Sequence, residues 1–166
     1  MIRLISLKLF RTVSSCFNQL GHINRIKHLP DRQTLLLLIK RFVFSKLFYC
    51  STLWWNTSKT NVHKLQLVQN FVARIILRLR KFDHISERLK SLRMLSVKDR
   101  LEINDAVMVF KCLNNLVPKY LCAKVQIRST VSTRVTRSVN NLNIHRCRLA
   151  TGQRRLAYRG VNIWDG

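Results

Sequence analysis

Carboxylates, glycine and proline are all scarce in this 166-residue chain, with seven Asp and Glu, four Gly and two Pro. So few glycines and prolines argue against a turn-rich sandwich and for long helices. Seven carboxylates leave little material for acid–base chemistry. No Asp-Asp pair occurs that would hold two metal ions ~3.5–4 Å apart. There is no Gly-rich phosphate loop, no Gly-Lys-Ser/Thr and no Gly-x-Ser-x-Gly elbow. The one His, carboxylate and hydroxyl grouping, Asp83–His84–Ser86, falls within a single turn and reads as a helix start. The five cysteines, at 16, 50, 112, 122 and 147, are odd in number, which argues against a secreted disulfide framework. Cys147 with His145, or Cys112 with Cys122, lacks zinc-finger or knuckle spacing, so the thiols read as ordinary and no metal is expected. A membrane span needs about 20 nearly uncharged residues. The most apolar stretch, from Leu35, is interrupted by Lys40, Arg41 and Lys46, so no transmembrane segment is expected. These absences predict a chain that is not an enzyme by itself, with no cofactor and no small-molecule substrate.

What is abundant is positive charge. Lys and Arg number 31, for a formal net charge of +24, and 47% of residues are nonetheless hydrophobic. A disordered basic tail lacks that apolar content. Residues 1–46, 47–121 and 122–166 each net +8, so the excess is spread along the whole chain. Such an excess repels itself and weakens the compact state unless a polyanion supplies the missing sign. Nucleic acid is the commonest polyanion, and an anionic membrane surface is the competitor. The first thirty residues carry Arg3, Lys8, Arg11, Arg25 and Lys27 and no acid, which also suits a mitochondrial transit peptide.

Helical periodicity dominates as far as residue 121. Over 2–29, Leu9, Val13, Cys16, Leu20, Ile23 and Ile26 recur in steps of three and four, with Gly21 weakening the middle and Pro30 ending the helix. Asp31 is placed to cap a second helix over 32–49. Leu35 to Phe48 is apolar nearly all round, which predicts a central, buried element. After Trp54 and Trp55, the triplet Asn56-Thr57-Ser58 fits a glycosylation pattern, but nothing else points to secretion. Ser58 caps a third helix over 59–79, whose apolar stripe is Val62, Leu65, Val68, Val72, Ile75 and Leu79. Another face of it carries Asn70, Arg74, Arg78 and Lys81, with no acid anywhere in 59–81, and reads as a nucleic-acid stripe. Asp83 is expected to cap a short helix over 84–92, and Ser96 with Asp99 a helix over 97–115. The apolar side of that last helix is read as Ile103, Val107, Phe110, Leu113 and Val117. Its acids, Asp99, Glu102 and Asp105, are read as favouring the positive end of the helix dipole. Pro118 begins a final turn with Tyr120 and Leu121. Beyond 122 the periodicity fades into Ser, Thr, Asn and Arg. Extended pieces are expected near 143–149 and 156–164, with Tyr158 and Trp164 anchoring them to the core.

The segment KLQLVQNFVARII, Lys64 to Ile76, resembles a run that follows the polymerase core in reverse transcriptases of non-LTR (long interspersed, jockey-like) retrotransposons. Further blocks in compatible order extend the resemblance over about residues 20–164. They are INRIKHLPDRQTLLLLIKRFVFSKLFYCSTLW (Ile23 to Trp54), LKSLRMLSVKDR (Leu89 to Arg100), VFKCLNNLVPKYL (Val109 to Leu121), TRVTRSVNNLNIHRCR (Thr133 to Arg148) and YRGVNIW (Tyr158 to Trp164). In that family this region looks like the thumb and C-terminal extension. The resemblance implies a helical element that grips template RNA and nascent DNA by the backbone. The palm with its catalytic aspartates has no counterpart here, so no catalytic residue carries over. His145 stands where the family more often has proline, Asp165 where Asn usually follows the tryptophan, and the chain stops at Gly166 before the usual Leu-Pro. These departures are expected of a decayed copy. If residues 20–29 belong to an internal helix, the transit-peptide reading loses ground.

The sequence therefore predicts a mainly α-helical bundle with an irregular, Arg-rich C-terminal segment that has room for short strands. Residues 1–121 would form a thumb-like helical domain and 122–166 a basic extension. The expected partner is RNA or an RNA–DNA hybrid, with a polymerase palm in the parent protein. Phosphate contacts fall to Lys64, Arg74, Arg78 and Lys81, and to Arg134, Arg137, Arg146, Arg148, Arg154 and Arg155. The expected location is intracellular, nuclear or cytoplasmic. The competing readings are a decayed fragment without activity and a basic mitochondrial or membrane-surface protein.

Overall fold

The computed structural model describes residues 2–54, 57–80, 82–132, 137–144 and 146–165. The fold is mainly α-helical and divides into two compact units, Met1–Arg100 and Leu101–Gly166. Among the described residues no helix is long and apolar enough to cross a membrane.

The first unit is built on three apolar stripes. Helix α1 (Ile2–Ile26) buries Leu9, Val13, Cys16, Leu20 and Ile23, five of the six residues its periodicity marks. The sixth, Ile26, is 45% exposed because the helix ends there, four residues before Pro30. Helix α2 (Arg32–Ile39) starts at Asp31, whose carboxylate accepts from the backbone N–H of Gln33 (3.0 Å) and Thr34 (3.3 Å). Hydrogen bonds from Thr34, side chain and backbone, and from the Gln33 backbone hold this carboxyl below the usual range. Helix α2 runs on through a π turn, Lys40–Phe44, into α3 (Ser45–Leu47). Leu35, Ile39, Val43 and Leu47 are buried, four residues apart each time. Leu37 and Phe42 are more than half exposed, so this apolar element buries one face and is not the enclosed centre that its composition predicts.

A short helix α4 (Ser51–Trp54) leads to α5 (Lys59–Leu77), capped by Ser58, whose hydroxyl accepts from Asn61 N–H at 3.4 Å. The predicted stripe is buried at Leu65, Val68, Val72 and Ile75. It packs on α1 and α2, where Phe17 and Phe71 meet with ring centroids 6.1 Å apart. The helix stops at Leu77, short of the expected Leu79, because Arg78 adopts a left-handed conformation (φ 54, ψ 34) and Leu79 N–H closes back on Arg74 O at 3.0 Å. Contrary to expectation, Asp83 does not cap helix α6 (Ser86–Ser91). That carboxylate accepts from Arg80 N–H at 2.8 Å in the preceding turn, and Ile85 takes the cap position without a side-chain bond. The start of α7 (Val97–Leu113) is as expected, with Ser96 Oγ accepting from Asp99 N–H at 3.2 Å.

Composition changes near residue 122, yet the second compact unit already begins within α7. Val109 and Cys112 of that helix share a core with Val125, Leu142 and Val161. The buried face of α7 is Leu101, Asp105, Val109 and Cys112. The face read from the sequence fails at Ile103, Val107 and Phe110, each about half exposed, whereas its last two residues, Leu113 and Val117, pack against this core. The reading failed because the true face passes through a carboxylate. Asp105 is buried not as a dipole partner but as an ion-pair partner of Arg159, whose Nε donates to Asp105 Oδ2. Burial pushes the Asp105 carboxyl up, and the Arg159 hydrogen bond and charge pull it back.

After the short helix α8 (Lys119–Cys122), Ile127 forms an antiparallel bridge with Leu142, with a second short helix, α9 (Arg128–Val131), between them in the chain. Backbone bonds from Arg128 N–H to Asn141 O (2.9 Å) and Asn143 N–H to Gln126 O (2.7 Å) flank the bridge. After α10 (Ala150–Gln153), residues 156–164 are helical, within α11 (Leu156–Asp165), where the sequence pointed to an extended piece. Its buried residues are Gly160 and Val161, whereas Tyr158 is half-buried and Trp164 43% exposed, so Trp164 does not act as the expected core anchor. A Cβ on Gly160 would stand 2.8 Å from Val109 Cγ2, so the absence of a side chain sets how closely α11 approaches α7. Asp165 accepts from Leu142 N–H at 3.0 Å, a bond an asparagine oxygen would make equally well.

Two glycines should therefore respond oppositely to alanine. Nothing lies within 4 Å of a Cβ at Gly21, so Gly21→Ala should raise stability by about 1 kcal/mol through helix propensity alone. Gly160→Ala must push the stiff Val109 side chain aside and should cost roughly 1–3 kcal/mol. Urea melts of both variants check the pair. For the buried ion pair, Asp105→Ala and Arg159→Ala should each cost roughly 3–5 kcal/mol, whereas Asp105→Leu combined with Arg159→Met should be near neutral. A double-mutant cycle that finds the singles additive would remove the pair from the structural account.

Candidate nucleic-acid interface

The stripe predicted on α5 is divided by the fold. Its first member, Asn70, belongs to a carboxamide network, in which Gln66 Nε2 donates to Gln69 Oε1 and to Asn70 Oδ1, each at 3.0 Å. Gln69 is 3% exposed and donates to Leu95 O at 2.7 Å, while Gln66 Oε1 accepts from Val97 N–H at 3.0 Å. This face of α5 therefore holds the segment leading into α7. Arg74 is half-buried, and its Nε is enclosed with no hydrogen-bond partner among the described residues. Arg78 is exposed, but its left-handed backbone takes it off the helical row. Lys64 is exposed on the helix itself. Lys81 lies outside the described residues. Of the four predicted contacts on this element, Lys64 and Arg78 present charge to solvent, and nothing aligns them in one row with Arg74.

In the second unit Arg137, Arg146, Arg148 and Arg155 are exposed and Arg154 is half-buried, while Arg134 lies outside the described residues. The short helix α10 and the turn into α11 set Arg154 and Arg155 one after the other. Arg159 Nη1 donates to Arg154 O at 2.5 Å, so the buried ion pair also fastens this turn. Arg154 and Arg155 thus sit on a folded support.

Another cationic site escaped the sequence reading. Lys8, Arg11, Thr12 and Ser15 of α1 and Ser45, Lys46 and Tyr49 from the α3 side line one groove of about 460 Å³. Lys46 Nζ donates to Ser15 Oγ at 3.3 Å across the two elements. The Lys46 charge also reaches Cys16, whose thiol burial pushes up and Lys46 pulls back. A faint signal was present in the sequence. Lys8, Arg11 and Ser15 follow at steps of three and four beside the Leu9–Val13–Cys16 stripe, in a stretch without acids. The partner Lys46, 31 residues beyond Ser15, shows only once the helices pack. Not every exposed cation is idle, since the Arg100 guanidinium lies 4.5 Å from the centroid of the Phe48 ring. Among the described residues no three His, Cys, Asp or Glu side chains gather where a metal ion could sit.

Compared with protein-family models, with curated proteins and with solved structures, the chain finds no match.

Proposed function

We propose that this chain is a non-catalytic nucleic-acid-binding element, of the kind that forms the thumb and C-terminal extension of non-LTR retrotransposon reverse transcriptases. It grips template RNA or an RNA–DNA hybrid by the phosphate backbone. The observation that carries this reading is the charge excess on a folded scaffold. Were every carboxylate paired with one cation, the formal charge of +24 would still stand unneutralised. Lys64, Arg78, Arg137, Arg146, Arg148 and Arg155 are exposed. Phosphate contacts of this sort fix position and carry little base information, so sequence preference is weak. The polymerase palm and its aspartates belong to the parent protein in this reading, and the element works inside the cell beside them. A decayed copy without activity is the alternative, and it differs by showing no salt-dependent binding.

With about five phosphates of a single strand neutralised, log K against log salt should slope near −3.5. Arg146→Gln with Arg148→Gln should flatten the slope by about 1.4, one 0.7 step per lost contact. A charge-matched pair, Arg25→Gln with Arg32→Gln, reports diffuse attraction, and equal slopes for the two pairs would exclude a defined tail site. Arg78 allows a sharper separation of fold from function. A left-handed residue other than glycine costs roughly 1–2 kcal/mol, so Arg78→Gly should raise the melting temperature while flattening the salt slope by about 0.7. A variant that is more stable and binds as the parent does would place Arg78 outside the interface.

A further inference from the structure

We propose that the groove between α1 and α3 is a phosphodiester-binding site for a single nucleic-acid strand, with Lys8, Arg11 and Lys46 holding the phosphates and Tyr49 offering its ring to an unpaired base. The proposal rests on the nucleic-acid reading above and adds to it a site on the first unit, separate from the α5 and tail cations.

Three cations line one recess that no carboxylate lines. The 30 residues before Asp31 contain no acid at all. Bringing like charges together in this way opposes folding, and an anion in the recess converts the repulsion into attraction. Neutral donors complete the site. Ser15 Oγ accepts from Lys46 Nζ, and a hydroxyl that accepts still has its own proton to donate, here toward a phosphate oxygen. Lys8 and Arg11 are exposed and Ser15 half-buried, which ranks the groups from the rim of the groove to its floor.

Charge and an exposed aromatic ring select the ligand. The groove lies open to solvent between two packed helices, so its cations meet a phosphate chain laid along it. Tyr49 is 69% exposed at the edge of the groove, and stacking of a base on an aromatic ring is tolerant of sequence. The site therefore favours single-stranded over paired nucleic acid and discriminates little among sequences.

The test uses the full chain, a short fluorescent oligo(U) and the same oligonucleotide paired to its complement, titrated across a salt series. Lys8→Gln/Arg11→Gln/Lys46→Gln should flatten the single-strand salt slope by about 2.1, at 0.7 per lost phosphate contact. Tyr49→Ala should weaken single-strand binding with the slope unchanged, because stacking releases no counterion. Lys46 also bonds Ser15, so a fall in melting temperature of the triple variant is met by Lys8→Gln/Arg11→Gln, both exposed, which should flatten the slope by about 1.4. The control is Arg25→Gln/Arg32→Gln/Lys90→Gln, all exposed and outside the groove. If groove and control variants shift the slope equally, the groove is not a site, although the nucleic-acid reading survives. If the unaltered chain binds no oligonucleotide, both fall. If the groove variant keeps oligo(U) binding but loses binding to phosphatidylserine-containing vesicles, the ligand is a membrane surface and the proposal is overturned.

Discussion

A chain with more than four cations for each carboxylate has to fold against its own charge, and that constraint organises both units. Among the described residues the core is apolar apart from Ser51, Gln69 and Asp105. Where many proteins would tie two segments with a salt bridge, the first unit uses neutral carboxamides. Gln66 and Gln69 hold Leu95 and Val97 by backbone bonds that no charge perturbs. Three of the acids serve the backbone. Asp31, Asp83 and Asp165 each accept from backbone N–H groups, of Gln33 and Thr34, of Arg80 and of Leu142. Asp105 instead meets a cation, in a buried pair with Arg159. Carboxylates committed to the backbone leave the positive field largely uncompensated, so the device that keeps the fold together also keeps it attractive to a polyanion.

What was legible in the sequence depends on whether its cause is local. Capping by Asp31, Ser58 and Ser96 needs only a side chain and the N–H groups two or three residues on, and all three caps form. The stripes of α1 and α5 need only regular spacing, and their central residues are buried. The face of α7 was misread because its cause is remote. Asp105 belongs to the buried face only with Arg159, 54 residues away, to meet it. The helix over 156–165 failed for a related reason. Gly160 and β-branched Val161 and Ile163 are modest helix formers, and the close approach of Gly160 to Val109, invisible in the sequence, accounts for the glycine.

The candidate interface divides along the same line. Exposure of the tail arginines follows from their density in a segment with little to bury, which composition reveals. The α5 row assumed that the helix continues past Leu77. With only four glycines in the chain, the left-handed positions that end helices fall to Arg78, Arg93 and Asn115, and such a position redirects the side chain it carries. Glycine scarcity, read at first as a sign of long helices, thus also explains why a predicted cationic row breaks where the helix stops.

The π turn at Lys40–Phe44 connects core register to the groove. Residues four apart on an α-helix drift by about 40° at each step, so a Leu35–Ile39–Val43–Leu47 stripe on a regular helix would rotate by about 120° away from its starting face. A π turn accommodates one additional residue and returns most of that angle. All four side chains are therefore buried, the last of them Leu47. Lys46, one residue before Leu47, comes to the edge of the buried face, beside Ser15 of α1. On a regular helix Leu47 would rotate away from the core and Lys46 would move with it. Lys46 of the groove is thus positioned by the same turn that keeps the hydrophobic stripe in contact, which ties the proposed binding surface to the packing beneath it.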